Sequence, residues 1–134
     1  MNLETVLTLL DGEIVSFQPN LQQVVVCGGA ADLMSDVLTF SSPDSVLLTG
    51  LINLQVVRTA EMAGVAAIVF VRGKIPPPET ISLASQMGIP LLASKYTMFE
   101  TCGRLYKAGL SASTLFETIL KQWHESFEPT VKKG

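Results

Sequence analysis

The sequence predicts an α/β fold with three layers, α/β/α, in which helices cover both faces of a mostly parallel central sheet. The prediction rests on the segment from Val46 to Leu110, where short apolar strand patterns alternate three times with amphipathic helix patterns. The strand patterns are almost continuously apolar, which is typical of strands that are covered on both faces. We therefore expect parallel strands joined by right-handed helical crossovers.

The N-terminal part predicts one helix and two strands. Asn2 is a suitable N-cap for a helix with apolar residues on one face, and Asp11-Gly12 ends that helix. Glu13 to Phe17 is a candidate strand, and Val24 to Cys27 is a stronger one. These elements precede the repeating segment.

A glycine pair follows the second of these strands. Gly28-Gly29 predicts a tight turn into a helix from about Ala31 to Phe40. On helical spacing, Leu33, Val37 and Phe40 are expected to face inward.

The repeating segment predicts three strands and three helices. The strands run over 46–49, 65–71 and 89–93. The helices begin at Asn53, after Pro76-Pro77-Pro78 and at Thr97, and they end at Gly64, Gly88 and Gly109. In the third helix Thr97 and Glu100 have the spacing of a capping box, and Phe99, Cys102 and Tyr106 supply the apolar positions.

The chain after Gly109 differs in character, so we divide the sequence into an α/β domain over 1–110, an additional amphipathic helix over 111–127 and a polar tail over 128–134. The helix carries an apolar stripe formed by Phe116, Leu120, Trp123 and Phe127. Two roles remain open for it. It packs on its own domain, or it joins two subunits of a homodimer or binds a protein partner.

Composition limits the class of protein. A chain of 134 residues with 48% apolar and 16% charged residues predicts one globular domain. Two cysteines, Cys27 and Cys102, lie in apolar segments and are expected to be reduced. We expect a cytoplasmic protein, because no apolar run reaches the roughly 20 residues of a membrane span and the N-terminus lacks a signal pattern.

Charge is distributed unevenly along the chain. Residues 1–49 contain six acids and no Lys or Arg, whereas residues 50–107 contain six bases and three acids. Such asymmetry is compatible with complementarity within the chain, with subunit pairing, with an anionic ligand or with chance. Nucleic acid is not an expected partner, because the bases are scattered over an acidic protein.

The residues needed for catalysis are sparse. His124 is the only histidine and lies on the last predicted helix, so we predict no catalytic residues. The chain contains no zinc-binding spacing, no GxxxxGK[ST] and no complete GxGxxG, and we predict neither a metal nor a cofactor.

A ligand site is expected at one edge of the predicted sheet. In parallel sheets ligands bind beyond the carboxyl ends of the strands, and basic residues follow two of the predicted strands. Helix N-termini and glycine N–H groups at that edge favour a small anion. The candidate ligand-binding residues are Gly28, Gly29, Thr49, Gly50, Asn53, Arg72, Gly73, Lys74, Lys95 and Thr97.

Four segments of the chain have a characteristic order and spacing, and they are 46–50, 65–73, 88–92 and 96–100. Over about residues 1–110 the chain thereby resembles the DRTGG domain, which is similar to the N-terminal domain of HPr kinase/phosphorylase. Ile52-Asn53 stands where the family has Asp-Arg, and Val71-Arg72-Gly73 stands where it has Thr-Gly-Gly. The resemblance implies an α/β/α fold and an accessory, regulatory role without kinase activity.

We predict a non-catalytic regulatory module that binds a small anionic metabolite or nucleotide; the alternative is a protein-interaction adaptor without such a ligand. The two differ in the surface that they require. A ligand module should have a pocket lined by Thr49, Arg72, Lys74 and Lys95, whereas an adaptor should have an exposed apolar patch and no pocket.

Overall fold

A computed structural model of the chain describes residues 1–113 and 115–131, which form a five-stranded sheet and six helices. In chain order the elements are α1 (Leu3–Leu9), β1 (Glu13–Ile14), β2 (Cys27–Ala30), α2 (Met34–Phe40), β3 (Ser45–Thr49), α3 (Leu54–Ala63), β4 (Ala67–Phe70), α4 (Pro78–Met87), β5 (Leu91–Ala93), α5 (Met98–Lys107) and α6 (Leu115–Val131).

The strands lie in the order β1-β5-β4-β3-β2. Strands β2 to β5 are parallel, and β1 pairs with β5 in the antiparallel direction. The predicted α/β fold with a mostly parallel sheet is confirmed. Because the four parallel strands share one direction, their carboxyl ends meet at one edge.

Successive side chains of the strands enter two separate cores, one on each face of the sheet, as expected for the period of a strand. In β3, Val46 and Leu48 lie in the first core, together with residues of α1 and α5. Leu47 lies in the second core, together with residues of α2, α3 and α4. Helices therefore cover both faces, which explains why these strands are apolar at nearly every position.

The prediction around the glycine pair was wrong in two respects. Gly28 and Gly29 lie inside β2 rather than in a turn, and α2 begins at Met34. Only Val37 of the three predicted inward residues is buried in α2, while Leu33 is 61% and Phe40 is 47% exposed. The helix is short, so a single turn of it contacts the core.

The apolar face of α5 was also assigned wrongly. Phe99 is 88% and Tyr106 is 74% exposed, and the helix instead buries Thr101 and Leu105. Cys102 lies between these two faces and is partly buried. Helix α5 therefore presents two aromatic side chains to solvent.

The last helix runs over Leu115–Val131, so it extends into the predicted tail. Its described stripe residues remain exposed, with Leu120 at 36%, Trp123 at 58% and Phe127 at 47%. The side chain of Phe116 and residues 132–134 lie outside the described part. No helix within residues 1–113 or 115–131 is long and apolar enough to cross a membrane.

Candidate functional site

A tight turn connects β4 to the segment before α4. Arg72 and Gly73 have φ values of +61° and +70°, and the N–H of Lys74 donates to the carbonyl of Val71 at 3.2 Å. Positive φ at both central positions is the backbone signature of a type I′ turn, which favours Asn-Gly and Gly-Gly. Arg72 therefore occupies a position that glycine adopts at lower cost.

Two backbone hydrogen bonds hold this turn against the loop that follows β5. The N–H of Arg72 donates to the carbonyl of Tyr96 at 2.8 Å, and the N–H of Gly73 donates to the carbonyl of Ser94 at 2.9 Å. The fold thus brings the backbone segments of Arg72, Lys74 and Lys95 together, and all three residues are exposed.

The side chain of Arg72 reaches across the sheet edge to the end of β3. Its guanidinium lies so close to Gly50 that a Cβ at that position would overlap it. Asp32 lies near the same Cβ position of Gly50, and its Oδ1 accepts from the N–H of Gly50 at 2.7 Å and from the hydroxyl of Thr49 at 3.1 Å. We call Asp32, Thr49, Gly50 and Arg72 the strand-end cluster.

Asp32 was not among the residues selected from the sequence. It follows β2 as Arg72 follows β4, so the rule that placed Arg72 at the strand ends would also have found Asp32. The missing information was the position of β2, because the predicted strand stopped three residues too early.

The two predicted helix caps behave differently. Thr97 is the N-cap of α5, and its side chain accepts from the N–H of Glu100 at 3.2 Å. Asn53 occupies the N-cap of α3 without making a side-chain cap bond. It instead borders a mostly apolar surface groove that also includes Arg58 and Glu79.

Gly28 and Gly29 lie apart from the strand-end cluster. The N–H of Gly28 donates to the carbonyl of Ser111 at 2.9 Å, so it is not available to an anion. Both glycines line an apolar groove of about 350 Å³ between β2 and α5. We call this the α5 groove; its other lining residues include Phe99, Cys102, Gly103, Tyr106 and Leu110.

The two cysteines are free thiols in apolar surroundings. Burial raises the pKa of Cys27, an effect that a hydrogen bond with Ser42 opposes. Burial likewise raises the pKa of Cys102. Both thiols are therefore protonated at neutral pH, unlike the activated thiolate of a nucleophilic cysteine.

The described residues contain no group of three or more His, Cys, Asp or Glu that could hold a metal ion. Neither the α5 groove nor the groove beside Asn53 is lined by Arg72, Lys74 or Lys95. The strand-end cluster offers a cation beside a carboxylate, an arrangement that binds polar ligands through hydrogen bonds and charge.

Comparison with known protein families identifies the domain family of this chain. The DRTGG domain matches residues 5–108, which is most of the chain. The chain belongs to the DRTGG domain family. A search of curated proteins finds no match.

Among solved structures, the DRTGG chain is similar to the regulatory region of Clostridium perfringens pyrophosphatase. That region contains CBS and DRTGG domains and is complexed with its activator, diadenosine tetraphosphate. The TM-score is 0.61 at 16% sequence identity, and the match covers 78% of this chain and 45% of that chain. The chain thus spans less than half of the pyrophosphatase region, and the likeness concerns the fold.

Proposed function

We propose that this DRTGG domain is a non-catalytic regulatory module that binds a small phosphorylated metabolite or nucleotide at the strand-end cluster. The observation that carries the proposal is the conformation of Arg72. A left-handed backbone costs a non-glycine residue about 1–2 kcal/mol. Such strain is concentrated at functional sites, where a particular side chain is needed.

The charge of Arg72 is available to a ligand. Among the described residues the one ion pair joins Arg104 to Glu100 at 3.0 Å, and Arg104 also lies over the ring of Tyr96. Within residues 1–113 and 115–131 Arg72 forms no ion pair of this kind, although Asp32 is nearby, and its side chain is exposed. An exposed guanidinium can bind two phosphate oxygens at once.

Asp32 complements this cation. Both of its hydrogen bonds use Oδ1, which leaves Oδ2 to accept a hydroxyl group of the ligand. A phosphate on Arg72 and a hydroxyl on Asp32 are the two contacts that a sugar phosphate or a nucleotide offers. The nucleotide activator bound to the pyrophosphatase region makes nucleotides the first class to test.

Thermal unfolding against nucleotides, phosphorylated sugars, acyl phosphates and inorganic phosphate tests the proposal, because a ligand of the native state raises Tm. We expect at least one phosphorylated compound to raise Tm, and Arg72→Gln to abolish the rise. Arg58→Gln is the matched control, since Arg58 is an exposed arginine on α3. No rise with any compound, or a rise lost in Arg58→Gln and kept in Arg72→Gln, contradicts the proposal.

A second function, as a protein-interaction module, is favoured by one specific observation. Phe99 and Tyr106 are among the most exposed large apolar side chains of the described residues, and both border the α5 groove. Exposed apolar patches of this kind mark interaction surfaces. This function does not compete for the strand-end cluster.

A further inference from the structure

We propose that two copies of this chain form a twofold-symmetric dimer by exchanging α6, so that α6 of each copy lies in the α5 groove of the other. The proposal concerns a different surface from the ligand site. It names the occupant of the groove, and it accounts for two apolar surfaces that remain uncovered in a single chain.

The α5 groove is an open, apolar surface groove. Phe99 and Tyr106 flank Gly103 on the exposed face of α5, and a Cβ added at Gly103 would meet no atom within 4 Å. Glycine is a poor helix former, so its presence in the middle of a helix favours a packing role. The gap over Gly103 is therefore open to a side chain from outside.

Helix α6 supplies a matching apolar stripe. Ile119, Leu120, Trp123 and Phe127 recur at helical spacing and are 36–58% exposed. The rings of Trp123 and Phe127 are 4.7 Å apart and form one aromatic surface. Trp123 stands near the middle of the stripe, and we place it in the gap over Gly103.

The two surfaces agree in length. At 1.5 Å per residue, the distance along α6 from Ile119 to Phe127 is about 12 Å, and the distance along α5 from Phe99 to Tyr106 is about 10 Å. Both surfaces belong to the same chain, so a second copy provides each with its partner. Reciprocal exchange of one element is a recognised route to closed dimers.

The connection between the groove and α6 favours exchange. Ser111 and Ala112 line the groove and are fixed to β2 by the hydrogen bond from Gly28 and by a parallel bridge. Helix α6 then begins at Leu115, only three residues after Ala112. The helix thus leaves directly from the rim, with its stripe uncovered by its own domain.

The available area is sufficient for a dimer. Aromatic side chains bury about 150–250 Å² each, so the exposed parts of Phe99, Tyr106, Trp123 and Phe127 amount to about 500 Å² in one helix–groove contact. Two equivalent contacts give about 1,000 Å², which is near the lower limit of a specific interface before aliphatic side chains are counted.

Light scattering coupled to size exclusion at 1–100 μM, chosen as about the range in which such interfaces dissociate, tests the exchange. We expect the full chain to be dimeric at the upper end of this range. Trp123→Lys on the helix and Tyr106→Lys on the groove should each raise the dimer Kd at least tenfold. Gly103→Arg should do the same without loss of fold, because arginine is a good helix former and the position is open.

Met62→Lys is the matched control, because Met62 is 72% exposed on α3, on the opposite face of the sheet. It should leave the Kd unchanged. A wild-type chain that is monomeric at 100 μM overturns the dimer. A dimer that Trp123→Lys disrupts while Tyr106→Lys and Gly103→Arg leave it intact overturns the exchange, since α6 would then pair with its own counterpart.

Discussion

The guanidinium of Arg72, two residues after β4, occupies the space that a Cβ would fill at Gly50, the residue after β3. Gly50 is not among the glycines with positive φ, so this contact is steric and involves no special backbone conformation at Gly50. Asp32 completes the arrangement through its bond to the N–H of Gly50.

Gly50→Ala is expected to displace the guanidinium of Arg72 and to weaken binding of the proposed anion, while lowering the free energy of unfolding by less than about 1 kcal/mol. The cost is small because the end of a flexible side chain gives way. In an Arg72→Ala background the same change should cost nothing. Urea unfolding of the four proteins of this double-mutant cycle measures the coupling, and additive effects would contradict the contact.

Arg72→Gly should raise the free energy of unfolding by about 0.5–1 kcal/mol, because relief of the left-handed strain exceeds the entropy cost of glycine. Lys74→Gly, two residues away at a position without positive φ, should instead lower it by about 0.4–1 kcal/mol. Urea denaturation distinguishes the two. Equal destabilisation by both substitutions would show that the turn is not strained at Arg72.

Thr97→Ala should lower the free energy of unfolding by about 1 kcal/mol, because the N–H of Glu100 loses its cap. Asn53→Ala is the matched comparison at the N-cap of α3, where no side-chain bond is made. Its effect should stay below about 0.5 kcal/mol. If Asn53→Ala lowered the free energy of unfolding as much as Thr97→Ala, the difference between these two caps would be contradicted.

Leu105→Ala should lower the free energy of unfolding by about 2–5 kcal/mol, because Leu105 is 2% exposed and its truncation leaves a cavity in the core. Phe99→Ala on the same helix should change it by less than about 0.5 kcal/mol in dilute, monomeric protein. Thermal and urea unfolding test the pair. If Phe99→Ala lowered the free energy of unfolding more than Leu105→Ala, the buried face of α5 would be the face that carries Phe99.

Stability should fall as the pH rises above about 9. The pKa values of Cys27 and Cys102 are raised by burial above their ordinary value of 9.0. The native state therefore holds these protons more tightly than the unfolded state, and their contribution is present below pH 9 and lost as the pH rises through the native pKa. Unfolding of a Cys27→Ala, Cys102→Ala variant should show a shallower decline between pH 8 and about 10.5. If the stability of the variant and of the wild-type chain declined equally with pH, the raised pKa values of the two cysteines would be contradicted.

The local sequence determined the class of fold. Continuous apolar strands required cover on both faces, and glycine at the helix ends marked true boundaries, as the left-handed conformations of Gly64 and Gly88 confirm. It also identified Arg72 as a strand-end residue. These features depend on residues that are neighbours in the sequence, so they could be predicted without knowledge of the tertiary structure.

The tertiary structure decided which residues of different elements are in contact. Gly28 lies in β2 because it pairs with Val46 of β3, and a Cβ there would be 3.0 Å from the side chain of Leu110, so close packing rather than a turn favours glycine. Helical spacing placed Phe99 and Tyr106 on one face of α5, but the sheet selected the face of Leu105 for burial. Asp32, Gly50 and Arg72 meet because β2, β3 and β4 are neighbours in the sheet, and strand order is a non-local property that no short stretch of sequence contains.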